Sequence, residues 1–389
     1  MQNPEKPVVV AFCATFLSPE MLHVYRQVCG IQAFTLWVVT RTRRHPELFP
    51  FERLHLLKKS PWRLFSRLVH TWRGQRVPMS RYEVRQMHQL VERERAAAIH
   101  VYLGTEAVRV LPYLREERRP KIVSFHGADL SHSLEAAEFQ QLLVHTDLFL
   151  VRSDSLRAAL LDRGCPPERI RLNRTGVPVP AVFVPRTLEA IGPARPLRIL
   201  QACRFINKKG LDVTLQAVAR LRDRGVAVEL HLAGSGPQEP DLRLLVGALN
   251  LESQVRFLGF LDNSTLLQRL PQYDLFVHPS RVTATGDQEG IPNALLEAMA
   301  WGVPTVSTRH SGIPEVVEHD QNGMLIDHAD ADLLATAMGD LVAQPARYAA
   351  ISQAGHATIQ ARFTIAKCVE SLEASYWYAM DRWGKRDHS

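Results

Sequence analysis

Two acidic and two basic side chains in the C-terminal half have the types and spacing needed to hold a phosphorylated sugar. Glu289 and Glu297 are eight positions apart, and Arg204 and Lys209 are five positions apart earlier in the chain. Carboxylates accept hydrogen bonds from neighbouring hydroxyl groups such as those of ribose and hexoses. Arg and Lys side chains clamp a diphosphate and neutralise its charge. The four side chains therefore suit a nucleotide diphosphate sugar.

Backbone amides add to this predicted site. The residues Gly290, Ile291, Pro292 and Asn293 precede a run of small and apolar residues that predicts a helix. The first amides of a helix have no partner within the helix and lie at the positive end of its dipole, so they form an anion site. The alternative for Glu289 is a solvated carboxylate that stabilises the start of this helix.

Two further loops follow predicted strands. His126 comes directly after Lys121–Phe125, where an imidazole could donate to a sugar hydroxyl or polarise a reacting group, or serve the structure alone. Gly234-Ser235-Gly236 follows another strand, and it either brings backbone close to a ligand or makes a tight turn. A dinucleotide fingerprint would need a third glycine, and Pro237 argues against it.

The elements that position these residues alternate between short apolar strands and helices. This alternation predicts an α/β fold with parallel sheets that are covered by helices on both faces. The predicted strands of the first half are Val8–Phe12, Leu36–Thr40, Ala98–Leu103, Ile122–Phe125 and Leu148–Val151. The predicted strands of the second half are Leu197–Ala202, Val228–Ala233, Val255–Leu258, Tyr273–His278 and Val303–Ser307.

A cluster of prolines between 178 and 196 interrupts this pattern and predicts a stiff connector. We therefore predict an N-terminal domain at 1–180, a linker at 181–196, and a second α/β domain at 197–366. The apolar C-terminal helix, 367–389, should dock on one of the domains. Two such domains would face each other across a cleft, and ligands of α/β sheets bind at the carboxyl ends of strands.

Composition excludes several other classes of protein. The chain has 389 residues, of which 46% are hydrophobic and 22% are charged, as expected for folded domains. No apolar run approaches the roughly 20 residues that span a bilayer. The five cysteines form no CxxC pair, and the 16 histidines form no HxxxH or HExxH pair, so neither a disulfide framework nor a metal site is expected.

Positive charge is concentrated in the first third of the chain. Residues 1–130 contain 21 Lys and Arg against 11 Asp and Glu, although the whole chain carries only +7. Such a region favours an anionic partner: nucleic acid, a phosphorylated substrate or a membrane surface. Within it, 58–76 combines Lys and Arg with an apolar stripe and two tryptophans, and it predicts a helix that either lies on an anionic membrane or packs into the core.

The motifs taken together resemble a retaining glycosyltransferase of family 4. Glu289 and Glu297 form the family's E-x7-E motif, and Arg204 with Lys209-Gly210 matches its GRxxxxKG segment, except that Cys203 replaces the usual glycine. Ser311-Gly312-Ile313-Pro314-Glu315 and Asn322-Gly323-Met324-Leu325 resemble its GxxE and NGxL turns. FHGxD from Phe125 onwards, together with GDxEGIPxALLEAMA, resembles the colanic-acid and amylovoran exopolysaccharide subgroup.

The resemblance implies the GT-B fold, with a Rossmann-like acceptor-side domain at 1–180 and a Rossmann-like nucleotide-sugar-binding domain at 197–366. It further implies that the helix at 367–389 packs back on the first domain, and it gives a role to each matched residue. Arg204 and Lys209 would hold the diphosphate and stabilise the leaving nucleotide, and Glu297 would bind the ribose hydroxyls. Glu289 would hold the donor sugar, and His126 would lie near the anomeric carbon. Neither a metal nor a cofactor is implied, the nucleotide sugar being a co-substrate. The family's glycine loop after the first strand is replaced here by residues 15–20, so no contact is expected from it.

The resemblance further implies a hexose transfer to a glycan acceptor, such as one linked to polyprenyl diphosphate, in cell-surface polysaccharide biosynthesis. The protein would then be cytoplasmic, with peripheral attachment to the inner face of the cytoplasmic membrane through 58–76. Two alternatives remain at this point: a nucleotide-sugar 2-epimerase of the same architecture and a basic nucleic-acid-binding protein. The second is disfavoured because the chain has neither zinc-finger spacing nor the glycine and aromatic motifs of nucleic-acid-binding modules.

Overall fold

The computed structural model describes residues 6–16, 21–61, 68, 70, 72, 76–126, 134–284 and 289–387. The chain divides into two compact units. Unit 1 consists of Met1–Gly176 together with Ile365–Ser389, and unit 2 consists of Val177–Thr364. The last helix of the chain therefore belongs to the same unit as the first strand.

Unit 1 contains a parallel sheet of seven described strands. Their order across the sheet is β5-β3-β1-β6-β7-β8-β9, and β2 pairs with β4 beside it. The strands are β1 (Val8–Phe12), β2 (Thr15–Phe16), β3 (Thr35–Thr40), β4 (Thr42–Arg43), β5 (Leu54–Leu56), β6 (Ala98–Tyr102), β7 (Lys121–Phe125), β8 (Leu148–Val151) and β9 (Ile170–Leu172). β1, β6 and β8 are buried almost throughout, which explains why they appear in the sequence as continuous apolar runs.

Helices cover both faces of this sheet with two apolar clusters. The described helices of unit 1 are Leu22–Gly30, Arg81–Arg93, Gly104–Glu116, Ala136–His145, Asp154–Asp162 and Ile365–Asp387. Ser80 begins Arg81–Arg93 with a capping box that it shares with Glu83. Tyr376 and Leu372 of the last helix are fully buried in the cluster that includes Val9 and Ala11 of β1.

Unit 2 contains a parallel sheet of six described strands in the order β12-β11-β10-β13-β14-β15. These strands are β10 (Leu197–Ala202), β11 (Val228–Ala233), β12 (Val255–Gly259), β13 (Leu275–His278), β14 (Thr305–Thr308) and β15 (Met324–Ile326). The described helices are Leu211–Asp223, Glu239–Ala248, Asn263–Arg269, Asn293–Ala300, Ala331–Val342 and Pro345–Arg362.

The proline-rich connector forms no helix or strand of its own and packs within unit 2. Phe183 stacks on the ring of His356 with centroids 3.8 Å apart. The Arg186 guanidinium donates to the carbonyl oxygens of Leu270, Tyr273 and Trp301. Within the connector, Gly192 and Arg195 also pair through two backbone hydrogen bonds.

The prediction of an α/β fold with two parallel sheets is confirmed, and the principal strands lie within two residues of their predicted bounds. The short strands β2, β4, β5, β9 and β15 were not predicted, because runs of two or three residues have no readable periodicity. Several predictions fall outside the described residues: positions 17–20 of the loop at 15–20, most of 58–76, the Gly127–Asp129 part of the FHGxD motif, and Gly286 with Asp287.

Candidate donor site

The strand order of unit 2 creates a switch point between β10 and β13. The chain leaves β10 toward β11 on one side of the sheet, whereas β14 follows β13 on the other side. The connections therefore diverge, and in open parallel sheets this divergence opens a crevice at the carboxyl ends of the two central strands. Arg204 and Lys209 follow β10, and Glu289 follows β13, so three of the predicted residues belong to the two loops at this point.

The loops after β10 and β13 are tied together closely. Gly210 has φ +64°, and a Cβ on it would lie 2.1 Å from the Pro279 carbonyl oxygen, so only glycine fits. The Arg281 guanidinium contacts Asn207, and its backbone N–H donates to the Lys208 carbonyl oxygen at 3.0 Å. These contacts fix the position from which Lys209 extends.

Lys209 and Glu289 form an ion pair between these two loops. Both side chains are nearly buried, with exposed fractions of 13% and 12%. Burial by itself would raise the pKa of the Glu289 carboxyl, but the Lys209 ammonium and the nearby His278 imidazole hold it well below its usual range. Glu289 is therefore an anion at neutral pH and can accept hydrogen bonds from hydroxyl groups.

Two histidines that were not predicted as site residues lie against Glu289. The Nε2 atom of His278, the last residue of β13, is 3.6 Å from Oε2 of Glu289. Nε2 of His310, which follows β14, accepts a hydrogen bond from the Glu289 backbone N–H at 3.1 Å. Burial lowers the pKa of both imidazoles. In the sequence, His310 directly precedes the Ser311–Glu315 motif, but nothing in its spacing indicates the contact with Glu289.

Glu297 lies inside the helix Asn293–Ala300 and is 3% exposed. Its Oε1 accepts a hydrogen bond from Asn263 Nδ2 at 2.8 Å. Asn263 begins the helix after β12, which Asp262 caps. Asn263 was not predicted, because a single asparagine at a helix start has many structural uses. The described contacts do not join Glu297 to the Lys209–Glu289 pair.

Arg204 differs from Lys209 in its surroundings. It is exposed, and its guanidinium makes no ion pair with a carboxylate of the described residues. Its loop is held by the glycine turn after β11: the Phe205 N–H donates to the Ser235 carbonyl oxygen, and a Cβ on Gly234 would lie 1.9 Å from the Cys203 carbonyl oxygen. The glycines of that turn therefore allow the backbones of the two loops to come close together. Burial raises the pKa of the Cys203 thiol to about 12, so it is protonated and not a nucleophile at neutral pH.

The predicted amides lie at the start of the helix Asn293–Ala300. Pro292 is the N-cap and makes no side-chain hydrogen bond to the first turn. The Gly290 N–H donates to Oε1 of Glu289 at 3.2 Å, which places this amide beside the predicted sugar-binding carboxylate. Ile291 packs against an apolar cluster of unit 2, so its contribution to a ligand would come from its backbone.

His126 belongs to unit 1, where it follows β7. Its ring meets the ring of His23 edge to face with centroids 5.2 Å apart. Burial lowers its pKa well below the usual value, and the charges of Arg152, His23 and His100 act in the same direction. The imidazole is therefore neutral, with one nitrogen as donor and one as acceptor.

In the part of the chain that the structure describes, no group of three or more His, Cys, Asp or Glu side chains is arranged to hold a metal ion. None of the described helices combines the length and apolar character needed to cross a bilayer.

Two family models match the chain in consecutive ranges. The model described as "Glycosyltransferase Family 4" matches residues 23–179, and the model described as "Glycosyl transferases group 1" matches residues 196–344. The first range lies almost wholly in unit 1, and the second lies within unit 2. Together the two ranges span most of the chain.

Curated relatives carry names from exopolysaccharide biosynthesis. The chain is similar to WcaL of Escherichia coli K12, named as a colanic acid biosynthesis glycosyltransferase, with 43% identity over 56% of this chain and 54% of that protein. It is similar to the amylovoran biosynthesis glycosyltransferase AmsK of Erwinia amylovora, with 36% identity over 62% of this chain and 60% of that protein. The matched part of the chain thus spans little more than half the length of these relatives.

The fold is similar to that of a protein solved with UDP and glucose bound. The structure of HepE from Anabaena in complex with UDP and glucose superposes with a TM-score of 0.75 and 17% identity, covering 95% of this chain and 99% of that one. This likeness confirms the predicted GT-B fold.

Proposed function

This chain belongs to the glycosyltransferases of group 1 and family 4, and we propose that it transfers a hexose from a nucleotide diphosphate sugar to a glycan acceptor in exopolysaccharide biosynthesis. The observation that carries the proposal is the Lys209–Glu289 pair at the switch point of unit 2. It supplies a buried cation for the diphosphate and an ionised carboxylate for a sugar hydroxyl side by side. The names of the relatives favour this activity over a 2-epimerase or a nucleic-acid-binding protein.

In the proposed reaction, the bond between the anomeric carbon and the diphosphate oxygen breaks as the acceptor hydroxyl attacks from the same face. Because attack and departure occur on the same face, the new glycosidic bond retains the configuration, and the departing diphosphate takes the hydroxyl proton. Lys209 and Arg204 would neutralise the charge that develops on the diphosphate, in place of a metal ion. Glu297, oriented by Asn263, would accept from the ribose, and His126 of unit 1 would donate to the sugar.

Buried polar atoms at the strand ends support a polar ligand at the switch point of unit 2. Oε1 of Gln201 in β10 and Oγ of Ser280 after β13 are buried and make no hydrogen bond to any residue that the structure describes. Buried polar groups in folded proteins are nearly always paired with protein or water. Nε2 of the same Gln201 donates to the Lys209 carbonyl oxygen at 2.8 Å, so these atoms adjoin the proposed diphosphate site.

Thermal-shift titration with UDP-, GDP- and ADP-hexoses tests the donor proposal, because a ligand that binds only the folded state raises Tm by mass action. One nucleotide series should stabilise the wild type, and Lys209→Ala should lose the shift. Arg243→Ala is the matched control, since Arg243 is a cation of unit 2 that pairs with Glu239 on a helix surface. Equal shifts for wild type and Lys209→Ala would contradict the site.

For the acceptor side we propose contact with an anionic lipid surface, such as one that holds a polyprenyl-diphosphate-linked glycan. Leu68 and Trp72 expose 71% and 85% of their surface, and they lie within the basic stretch of unit 1. Each Lys or Arg near anionic lipid contributes about 1 kcal/mol to binding, and salt screens that attraction.

Sedimentation with phosphatidylserine-containing and phosphatidylcholine vesicles, at low and high salt, tests this contact. The wild type should sediment with anionic vesicles at low salt. The double variant Leu68→Ala with Trp72→Ala should sediment with them less. Leu244→Ala is the control, because Leu244 is 75% exposed in unit 2. Equal recovery in the supernatant with both vesicle types would remove the membrane proposal.

A further inference from the structure

His310 and Glu289 are joined through the backbone of Glu289, independently of its carboxylate. The two residues come from different loops, one after β14 and one before the helix Asn293–Ala300. His310 is 9% exposed, and its own backbone is anchored by two hydrogen bonds, from its N–H to the Thr308 carbonyl oxygen and from the Ile313 N–H to its carbonyl oxygen. The imidazole is therefore presented from a fixed loop.

The contact specifies the protonation state of the ring. A backbone N–H can only donate, so Nε2 of His310 must accept and cannot carry a proton. The proton of the neutral ring then lies on Nδ1. A doubly protonated imidazole would place an N–H group against the Glu289 N–H, and a buried amide would lose its acceptor.

The charged groups around His310 act in opposite directions. Burial lowers its pKa, the Glu289 carboxylate raises it and the Lys208 ammonium lowers it. Glu289 itself is engaged by Lys209 and lies next to His278. On the loop of His310, the neighbouring Arg309 pairs with Asp327 at 3.0 Å. The net direction is downward, so the neutral acceptor persists at pH values somewhat below 6.5, the ordinary pKa of histidine.

We propose that His310, as the neutral Nδ1–H tautomer, is a positioning residue that fixes the backbone of Glu289 and thereby aims its carboxylate at the donor sugar. This inference rests on the proposed donor site and adds to it a residue that acts through Glu289. Lys209 holds the carboxylate end of Glu289, and His310 holds the main-chain end. Without His310, Glu289 would still be charged but would no longer be held in one orientation.

Two amide substitutions distinguish a role of His310 as hydrogen-bond acceptor from a role as a space-filling side chain. The side-chain oxygen of glutamine reaches the place of Nε2, whereas that of asparagine reaches only the place of Nδ1. His310→Gln should therefore keep kcat close to wild type, and His310→Asn should lower it by about ten- to a hundredfold, as expected when a buried donor is left without an acceptor. KM for the donor should change less than kcat, because the misdirected contact matters most in the transition state.

His319 provides the matched control in the same unit. Its Nδ1 accepts the Leu325 backbone N–H at 3.1 Å, which is the same kind of bond made by the other ring nitrogen and away from Glu289. His319→Asn should preserve that bond and His319→Gln should lose it. Both should leave turnover per folded molecule unchanged, and any effect should be confined to Tm.

The pH profile supplies a readout that a structural role would not move. Turnover of the wild type should fall on the acid side with the pKa that ¹⁵N NMR of the full chain reports for His310. In His310→Gln this inflection should move to lower pH, because the amide does not titrate. An inflection unchanged in His310→Gln, or wild-type turnover in a folded His310→Asn, would overturn the proposal.

NMR separates this proposal from the proposed function. If no nucleotide sugar is a donor, the proposed function fails, but the ¹⁵N shifts of His310 still test the contact between His310 and Glu289. A protonated Nε2 at neutral pH overturns this contact. An unprotonated Nε2 whose titration shifts the Glu289 amide supports it.

Discussion

Two polar clusters of this protein are built on parallel strands, and they differ in where along the strand their residues lie. In unit 1 the cluster of His100, Ser124 and Tyr376 involves the middle of β6 and the fourth residue of β7. In unit 2 the cluster of Lys209, Glu289, His278 and His310 lies at or beyond the carboxyl ends of β10, β13 and β14. We call them the mid-strand cluster and the strand-end cluster.

The mid-strand cluster consists of neutral groups that satisfy one another. His100 is fully buried, with Nδ1 2.8 Å from the Tyr376 hydroxyl and Nε2 2.6 Å from Ser124 Oγ. Burial lowers the pKa of His100 to about 3. The strand-end cluster contains an ion pair, because loops at the end of a sheet leave room for charged side chains and for a ligand. The same residue type, histidine, thus serves stability in one cluster and the proposed chemistry in the other.

Lys209→Ala should have the largest effect and should act on catalysis. We expect kcat to fall by about a hundred- to a thousandfold, the loss that follows removal of one donor that stabilises developing charge. Burial would then raise the pKa of Glu289 with only the His278 imidazole acting against it, so the variant should lose stability as well. Steady-state kinetics and chemical denaturation measure the two effects.

The double variant Lys209→Ala with Glu289→Gln distinguishes the two effects. A neutral amide needs no cation, so this variant should regain stability without regaining turnover. Recovery of turnover together with stability would show that the strand-end cluster resembles the mid-strand cluster in being structural.

His100→Ala should have the next largest effect and should act on stability. It removes two hydrogen bonds and leaves a cavity, which together should cost about 2–4 kcal/mol in the free energy of unfolding. Turnover per folded molecule should remain at the wild-type level. His88→Ala is the control, because His88 is partly exposed and contacts Glu116 at 3.3 Å. A loss of turnover without a loss of stability would contradict the distinction between the clusters.

The free energy that the mid-strand cluster contributes to folding should decrease at acid pH. The pKa of His100 is lowered in the folded state, so an unfolded chain binds a proton that the native chain does not. The stability that His100 contributes is complete above its unfolded pKa of roughly 6.5 and declines by about 1.4 kcal/mol for each pH unit below it, until the folded pKa is reached. Denaturation curves for wild type and His100→Phe between pH 7 and pH 4 should converge as the pH falls. A constant difference across this range would contradict the assignment.

Asn263→Ala should have the smallest effect and should act on donor binding. Loss of the 2.8 Å bond to Glu297 should cost about 1 kcal/mol, seen mainly as a higher KM for the donor. Asn263→Asp places a like charge beside Glu297 and should weaken binding further. An unchanged KM in both variants would show that Glu297 needs no second residue to orient it.

The sequence predicted the strands that are buried on both faces, since these appear as apolar runs with turns between them. It also predicted that Lys209 and Glu289 lie in loops that follow strands, because their motifs come directly after apolar runs. The partners of Glu289 could not be predicted in this way. His278 and His310 reach it because β10, β13 and β14 are neighbours in the sheet, and strand order is a property of the whole unit, which spacing along the chain does not reveal.

The glycine turn after β11 shows what residue types leave open. Gly234 and Gly236 allowed either contact with a ligand or a tight turn, and the backbone that comes close to them is the loop at Cys203 and Phe205. A missing side chain is equally useful to a ligand and to a neighbouring loop, and the sequence alone does not distinguish them.

The hydrogen bond between His100 and Tyr376 joins residues separated by 276 positions. A ribosome adds roughly 5–20 residues per second, so His100 emerges some tens of seconds before its partner has been made. During that interval His100 lacks its hydroxyl partner and one sheet face lacks its last helix, although all the described strands of unit 1 have already been synthesised. The nascent chain should therefore depend on chaperones until the last helix is translated, whereas unit 2, which is continuous in sequence, can finish folding first.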